Sequence, residues 1–175
     1  MRRRISKKAA VSVCAGILLA VLYAVIFGFS SQDAEQSGSL SRTVSEKCVG
    51  IFGSFSGRQW SGAVIRQLAE AIEHPVRKLA HFSEYALMGI LVYIIWSQWM
   101  SRGKRLYLLT IVWVALSASA DEIHQLFVPG RYCSFGDVCL DTCGGIFGML
   151  ACILGSKIFC RKKAQQNSEK SMLSK

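Results

Sequence analysis

Four apolar stretches decide what this chain can become. Ala9 to Phe29 is a run of twenty-one residues without a charge, Leu106 to Ala120 and Thr142 to Ser156 are uncharged runs of fifteen each, and Val76 to Met100 carries its charges only near its start. A bilayer core about 30 Å thick takes roughly 20 helical residues to cross, so these runs read as spanning helices over about 9–29, 76–100, 106–127 and 138–159. The fold class they predict is all-α, a multi-pass transmembrane helix bundle with four spanning helices and an outer amphipathic helix. The whole of 9–160 is one membrane domain, preceded by a basic segment at 1–8 and followed at 161–175 by a basic polar tail expected to be disordered near anionic lipid. The first run is longer than the apolar core of a usual signal peptide, and the FGFSSQ that follows offers no small-x-small cleavage site, so it is read as a retained helix.

The formal charge of +10 would suit nucleic acid if it formed one patch, but it is dispersed. Met1 to Lys8 holds five basic residues, Ser101 to Arg105 three, and Lys157 to Lys175 six against the single Glu169, whereas Ser30 to Lys78 is nearly balanced with six basic and five acidic. Basic clusters on alternate flanks follow the positive-inside rule, which predicts a cell-membrane protein with both termini cytoplasmic and the bend at Val128 to Gly136 outside. Nucleic acid is not an expected partner.

Between the first two spans, Ser30 to Ser45 is rich in Ser and Gln and reads as a loop that starts a short surface helix near Thr43. From Ser61, a plausible N-cap, Val64, Ile65, Leu68 and Ile72 fall at helical spacing with Arg66, Gln67, Glu70 and Glu73 opposite them. That predicts a short amphipathic helix on the outer membrane surface, ended by His74-Pro75 before the second span.

The charges that remain sit near the ends of spans; well inside a spanning helix a charge costs roughly 2.5 to 3.5 kcal/mol, so such groups call for a partner or a water-filled pocket. Lys78, His81 and Tyr85 share one face of the second span with Glu84 beside them; Asp121 and Glu122 end the third; Asp137 and Asp141 open the fourth on the face that also carries Gly144 and Gly148. Cations at a helix N-terminus and carboxylates at a C-terminus both oppose the helix dipole. The topology brings the two mismatched sets level, so Lys78 is expected to meet Glu122 and His81 to meet Asp121. Arg131, aimed by the turn pair Pro129-Gly130, is a fork for a phosphate or carboxylate or a partner for Asp137, and Gln125 lies one turn beyond Asp121 on the same side.

The boxes RKLAHFSEYALMG, SADEIHQLFVPGR and GDVCLDTCGGIFG, with FGFSSQDAEQSGSLS after the first span, resemble the VanZ-like family of bacterial membrane proteins. The resemblance covers nearly all of the chain between the first and fourth spans. It implies a small multi-pass bundle in the cell membrane and a link to resistance against teicoplanin-type glycopeptide antibiotics. The family's motif positions fall here on Lys78, His81, Tyr85, Asp121, Glu122, Gln125, Phe127, Arg131, Asp137 and Asp141.

Three classes of function stay open at this point. The favoured one is an outer polar pocket that binds the head group of a membrane lipid or a lipid-linked cell-wall component, with Lys78, His81, Tyr85, Asp121, Glu122, Gln125, Arg131, Asp137 and Asp141 as ligand contacts. The second is a membrane-embedded hydrolase or transferase in which His81 is the base and Asp121 or Glu122 orients it. The third is a structural envelope partner whose charges serve folding alone. No metal site or cofactor is expected, since no local ligand motif is present. Homo-oligomerisation stays open. Cys48 and Cys133 both fall outside and can bridge, whereas Cys139, Cys143 and Cys152 read as packing residues.

Overall fold

The computed structural model describes residues 2–173 and contains five helices, α1 (Arg2–Ser30), α2 (Ala34–Phe55), α3 (Gly62–Trp99), α4 (Lys104–Gln125) and α5 (Phe135–Leu173). Four of them are long and apolar enough to cross a membrane, over Ile5–Ser30, Gly62–Trp99, Lys104–Gln125 and Phe135–Phe159. The all-α, four-span architecture therefore stands.

The centre of the bundle is α3, which packs most closely on α5 and also touches α1, α2 and α4. Ala15, Leu19, Leu22 and Ile26 form the buried stripe of α1, and they meet Tyr85, Met88, Leu91 and Val92 of α3 and Val114 and Ala118 of α4. A second cluster of Tyr93, Leu106, Met149 and Ile153 joins α3, α4 and α5 nearer the end that holds the α3–α4 connection. Ile17, Val21, Leu108, Leu116, Leu150 and Leu154 face outward, as expected of side chains that meet lipid. Lipid tails give no hydrophobic drive for helix association, so small residues set the approach. A Cβ at Gly144 would overlap the Phe82 carbonyl, and one at Gly148 the Ala86 carbonyl, which explains how α5 lies directly against the backbone of α3.

Two expectations about the segment between the first spans are corrected. Ser30 to Ser45 is helical from Ala34 onward, because Asp33 caps the start by accepting from the Gln36 N–H at 2.8 Å, and the Pro129 carbonyl accepts from the Ala34 N–H at 3.4 Å. Ser39, Ser41 and Ser54 donate to carbonyls of the preceding turn, Ser41 to that of Ser37 at 2.8 Å, and Ser41, Ser45, Val49 and Gly53 form its buried face. The second correction concerns Pro75, which does not end a helix. Ser61 does cap the start, but the amphipathic segment and the second span are one 38-residue helix with Pro75 inside it. A proline there removes one backbone hydrogen bond, and the packing of α2 along the first half of α3 offsets that loss. At about 1.5 Å per residue α3 is roughly 57 Å long, well beyond a bilayer core of about 30 Å.

Smaller departures follow the same logic. The helix α5 begins at Phe135, with the Ser134 carbonyl accepting from Asp137 N–H and Val138 N–H, and it continues to Leu173 through the stretch expected to be a disordered tail. That stretch contains no Gly or Pro and is rich in Lys, with Arg, Gln, Ala, Met and Leu beside it, all good helix formers. Cys48 and Cys133 are free and exposed rather than bridged. Cys139 and Cys143 point outward, so of the three fourth-span cysteines only Cys152 packs inward.

Candidate functional site

The ends of four helices meet at one side of the bundle. The bend after α4 is shaped by a turn in which the Arg131 N–H donates to the Val128 carbonyl at 3.2 Å, with Pro129 and Gly130 at its centre. Gly130 has φ of 73°, the left-handed value that the third position of a type II turn requires. That turn rests on the start of α2, since a Cβ at Gly130 would come within 2.9 Å of Ala34 Cβ. Arg131 continues the contact by donating from Nε to the Gln32 carbonyl at 3.3 Å. The bend between α4 and α5 is thereby held on the connection between α1 and α2.

Beneath it lies a polar cleft of about 110 Å³. Lys78 and His81 of α3, Glu122 and Gln125 of α4, Arg131 of the bend, and Asp137 and Asp141 of α5 all line it. Seven of the nine ligand contacts expected from sequence are therefore gathered around one space. Tyr85 and Asp121 are not. Tyr85 is in the core, its hydroxyl donating to the Ser117 carbonyl of α4 at 3.5 Å. Asp121 is fully buried behind the cleft wall, where its Oδ2 accepts from Ser30 Oγ at 2.8 Å and from Gln125 Nε2 at 3.1 Å. Both are placed as parts that fix the helices behind the cleft.

The expected ion pairs are also re-dealt. Lys78 Nζ donates to Asp137 Oδ1 at 2.7 Å, joining α3 to α5 rather than α3 to α4. Glu122 instead accepts from the Ser134 N–H at 2.8 Å, so it holds the start of α5. Neither Asp121 nor Glu122 hydrogen-bonds His81, whose nearest carboxylate partner is Glu84, with Nδ1 to Oε2 at 3.9 Å. The orienting bond that a His81 base would use is therefore absent from its assigned partners among the described residues. With Asp137 taken by Lys78, Arg131 has no carboxylate within ion-pair distance among the described residues, and its two terminal nitrogens make no hydrogen bond to them. Burial, and then the neighbouring Arg77, push the Arg131 pKa below the ordinary arginine value, yet a guanidinium stays charged at any ordinary pH. The arrangement thus presents a cation, clamped at one nitrogen, with its fork free.

His74 and Arg77 line the same cleft and were not foreseen. His74 stands four residues before Lys78 and seven before His81, which is one helical face because the helix runs through Pro75 without a break. Arg77 Nη2 reaches both Glu73 and, at 3.2 Å, Ser41 Oγ, so it links α2 to α3 at the cleft edge. Two carboxylate oxygens, Oδ1 of Asp121 and Oδ1 of Asp141, are buried without a hydrogen-bond partner. Among the described residues no three His, Cys, Asp or Glu side chains converge as a metal ion would require.

A family model described as VanZ/LLP1 matches residues 15–157, a range that takes in all the cleft residues. No curated protein and no solved structure matches the chain.

Proposed function

The chain belongs to the VanZ/LLP1 family, and on that premise we propose that it is a cell-membrane protein whose outward-facing cleft binds the anionic head group of a lipid or lipid-linked envelope component. The single observation that carries this reading is Arg131. Its Nε is held by the Gln32 carbonyl while its terminal nitrogens face a cleft with no carboxylate partner for them among the described residues. A planar guanidinium grips phosphate or carboxylate through two parallel hydrogen bonds, which suits such a head group. Both termini lie in the cytoplasm in this reading, which the alternating basic clusters support. Occupying or displacing an envelope lipid at the outer surface changes what a glycopeptide antibiotic meets there, which gives the link to teicoplanin-type resistance.

The test compares wild type with Arg131→Lys at matched membrane abundance. Lysine keeps the charge and loses the fork. The variant is expected to fold at normal level, to copurify with less of one anionic lipid species, and to protect cells less against teicoplanin. An unchanged lipid profile together with unchanged protection would show that Arg131 serves packing only.

A further inference from the structure

On the far side of Arg77, His81 and Arg131 from the polar cleft there is a second cavity of about 320 Å³, and these three side chains line both spaces. Its remaining walls differ in kind. Phe29 of α1, Leu40 and Val44 of α2, and Val76 and Ala80 of α3 make it a mostly apolar groove, with Gln32, Ser37, Ser41 and Glu84 as its polar members. Phe29, Leu40 and Val44 are exposed, and α1 and α2 each pack on α3, so the groove between them is left open rather than closed by its own side chains. An apolar groove and a polar cleft that share a cationic wall fit one molecule with two chemical halves. Arg77 supports this wall from the α2 side, because Glu73 and Ser41 fix one of its terminal nitrogens while its buried Nε has no partner.

From this junction we infer that the ligand is a lipid monophosphate, its phosphate on Arg131 at the wall and its hydrocarbon chain laid along the groove between α1, α2 and α3. This rests on the head-group reading above and adds the chain site. The polar cleft, about 110 Å³, is small, which favours a bare phosphate over a bulky glycan head. The groove is one channel and takes one chain. Binding then depends on both halves at once: the chain supplies affinity by leaving water or bulk lipid, and the phosphate fixes register by pairing with the guanidinium fork. Neither an uncharged lipid of the same chain nor a free phosphate ion satisfies both.

The full-length protein in detergent is titrated with a prenyl monophosphate, with the corresponding prenyl alcohol, and with inorganic phosphate, and complexes are counted by native mass spectrometry. The monophosphate is expected to bind at least about tenfold more tightly than either fragment. Ala80→Phe places a ring in the groove at an exposed position, and Leu40→Ser removes part of its wall. Each is expected to weaken monophosphate binding by about tenfold, a loss equivalent to about two methylenes of contact, with the thermal midpoint unchanged. Arg131→Lys should weaken it as well. If Arg131→Lys weakens binding and both groove variants bind like wild type, the chain site is wrong and the head-group reading stands. If none of the three alters binding, or if the alcohol binds as well as the monophosphate, both readings fail.

Discussion

Lys78 of α3 and Asp137 of α5 are joined across the mouth of the cleft at 2.7 Å, and this pair, rather than any contact with α4, neutralises the cation. The two side chains are 41% and 31% exposed, so water screens the pair and its coupling is of the order found for surface ion pairs, about 0.5 to 1 kcal/mol. A double-mutant cycle of Lys78→Met with Asp137→Asn, read by thermal unfolding in detergent, is expected to show that coupling. The cycle of Lys78→Met with Glu122→Gln is expected to be additive within about 0.5 kcal/mol, because Glu122 bonds the Ser134 backbone instead. The reverse pattern would return the cation to α4.

Gly148 and Gly155 offer a paired test of how α5 is seated. The space at Gly148 is filled by the Ala86 backbone, and a methyl there forces two helices apart, whereas nothing lies within 4 Å of a Cβ at Gly155. Gly148→Ala should destabilise the protein by about 1 to 3 kcal/mol, in the range of overpacked cores, and lower the yield of monodisperse material. Gly155→Ala, mid-helix and unobstructed, should be neutral or stabilising by roughly 0.5 to 1 kcal/mol. Equal effects at the two positions would mean that α3 and α5 are not in backbone contact.

The spans were legible because an apolar run longer than a bilayer is thick has few other fates, and the charged ends of those spans marked the cleft. What was not legible depended on rotation and on distant partners. Charge and helix polarity put Lys78 level with Asp121, Glu122 and Asp137 alike, and only the direct approach of α5 to α3 at Gly144 and Gly148 decides for Asp137. The glycines share a face with Asp137 and Asp141, so the face that packs on α3 is also the one that brings Asp137 to Lys78. The start of α2 carries a local signal in Asp33 with Gln36 three residues on, but the polar Ser-rich run after it hides the helix. Its first N–H is capped by the Pro129 carbonyl, far along the chain, and its Ser-rich face becomes buried only against α3. Reading Pro75 as a break then removed His74 and Arg77 from the helix face that leads into the cleft.

Pro75 itself is testable. A proline inside a water-exposed helix costs about 3 kcal/mol relative to alanine, mostly through the missing hydrogen bond to the preceding turn. In a helix that runs unbroken from Gly62 to Trp99, Pro75→Ala restores that bond without disturbing either half. The variant is expected to unfold at a higher temperature, with a gain of about 1 to 3 kcal/mol and unchanged helix content by circular dichroism. If α3 were two helices meeting at His74, alanine would instead raise helix content. A lowered midpoint would show that the proline shapes a bend the packing needs.

Ser30, Asp121 and Gln125 form the buried hub behind the cleft, and their bonding revises the part assigned to Gln125. Its amide nitrogen lies 3.1 Å from Asp121 Oδ2 and 3.4 Å from Ser30 Oγ, so although it lines the cleft, its donors serve Asp121. A buried carboxylate that already has one oxygen without a partner tolerates the loss of a donor poorly. Ser30→Ala and Gln125→Ala should each cost about 1 to 3 kcal/mol, the penalty of leaving a buried acceptor less satisfied. In an Asp121→Ala background the same two substitutions should cost much less, since the acceptor they serve has gone. At matched abundance Gln125→Ala should retain more anionic lipid than Arg131→Lys, which separates a residue that holds the wall from one that meets the ligand. Should Gln125→Ala leave the unfolding midpoint unchanged while abolishing lipid retention, Gln125 would be a ligand contact after all, and the hub would not need it.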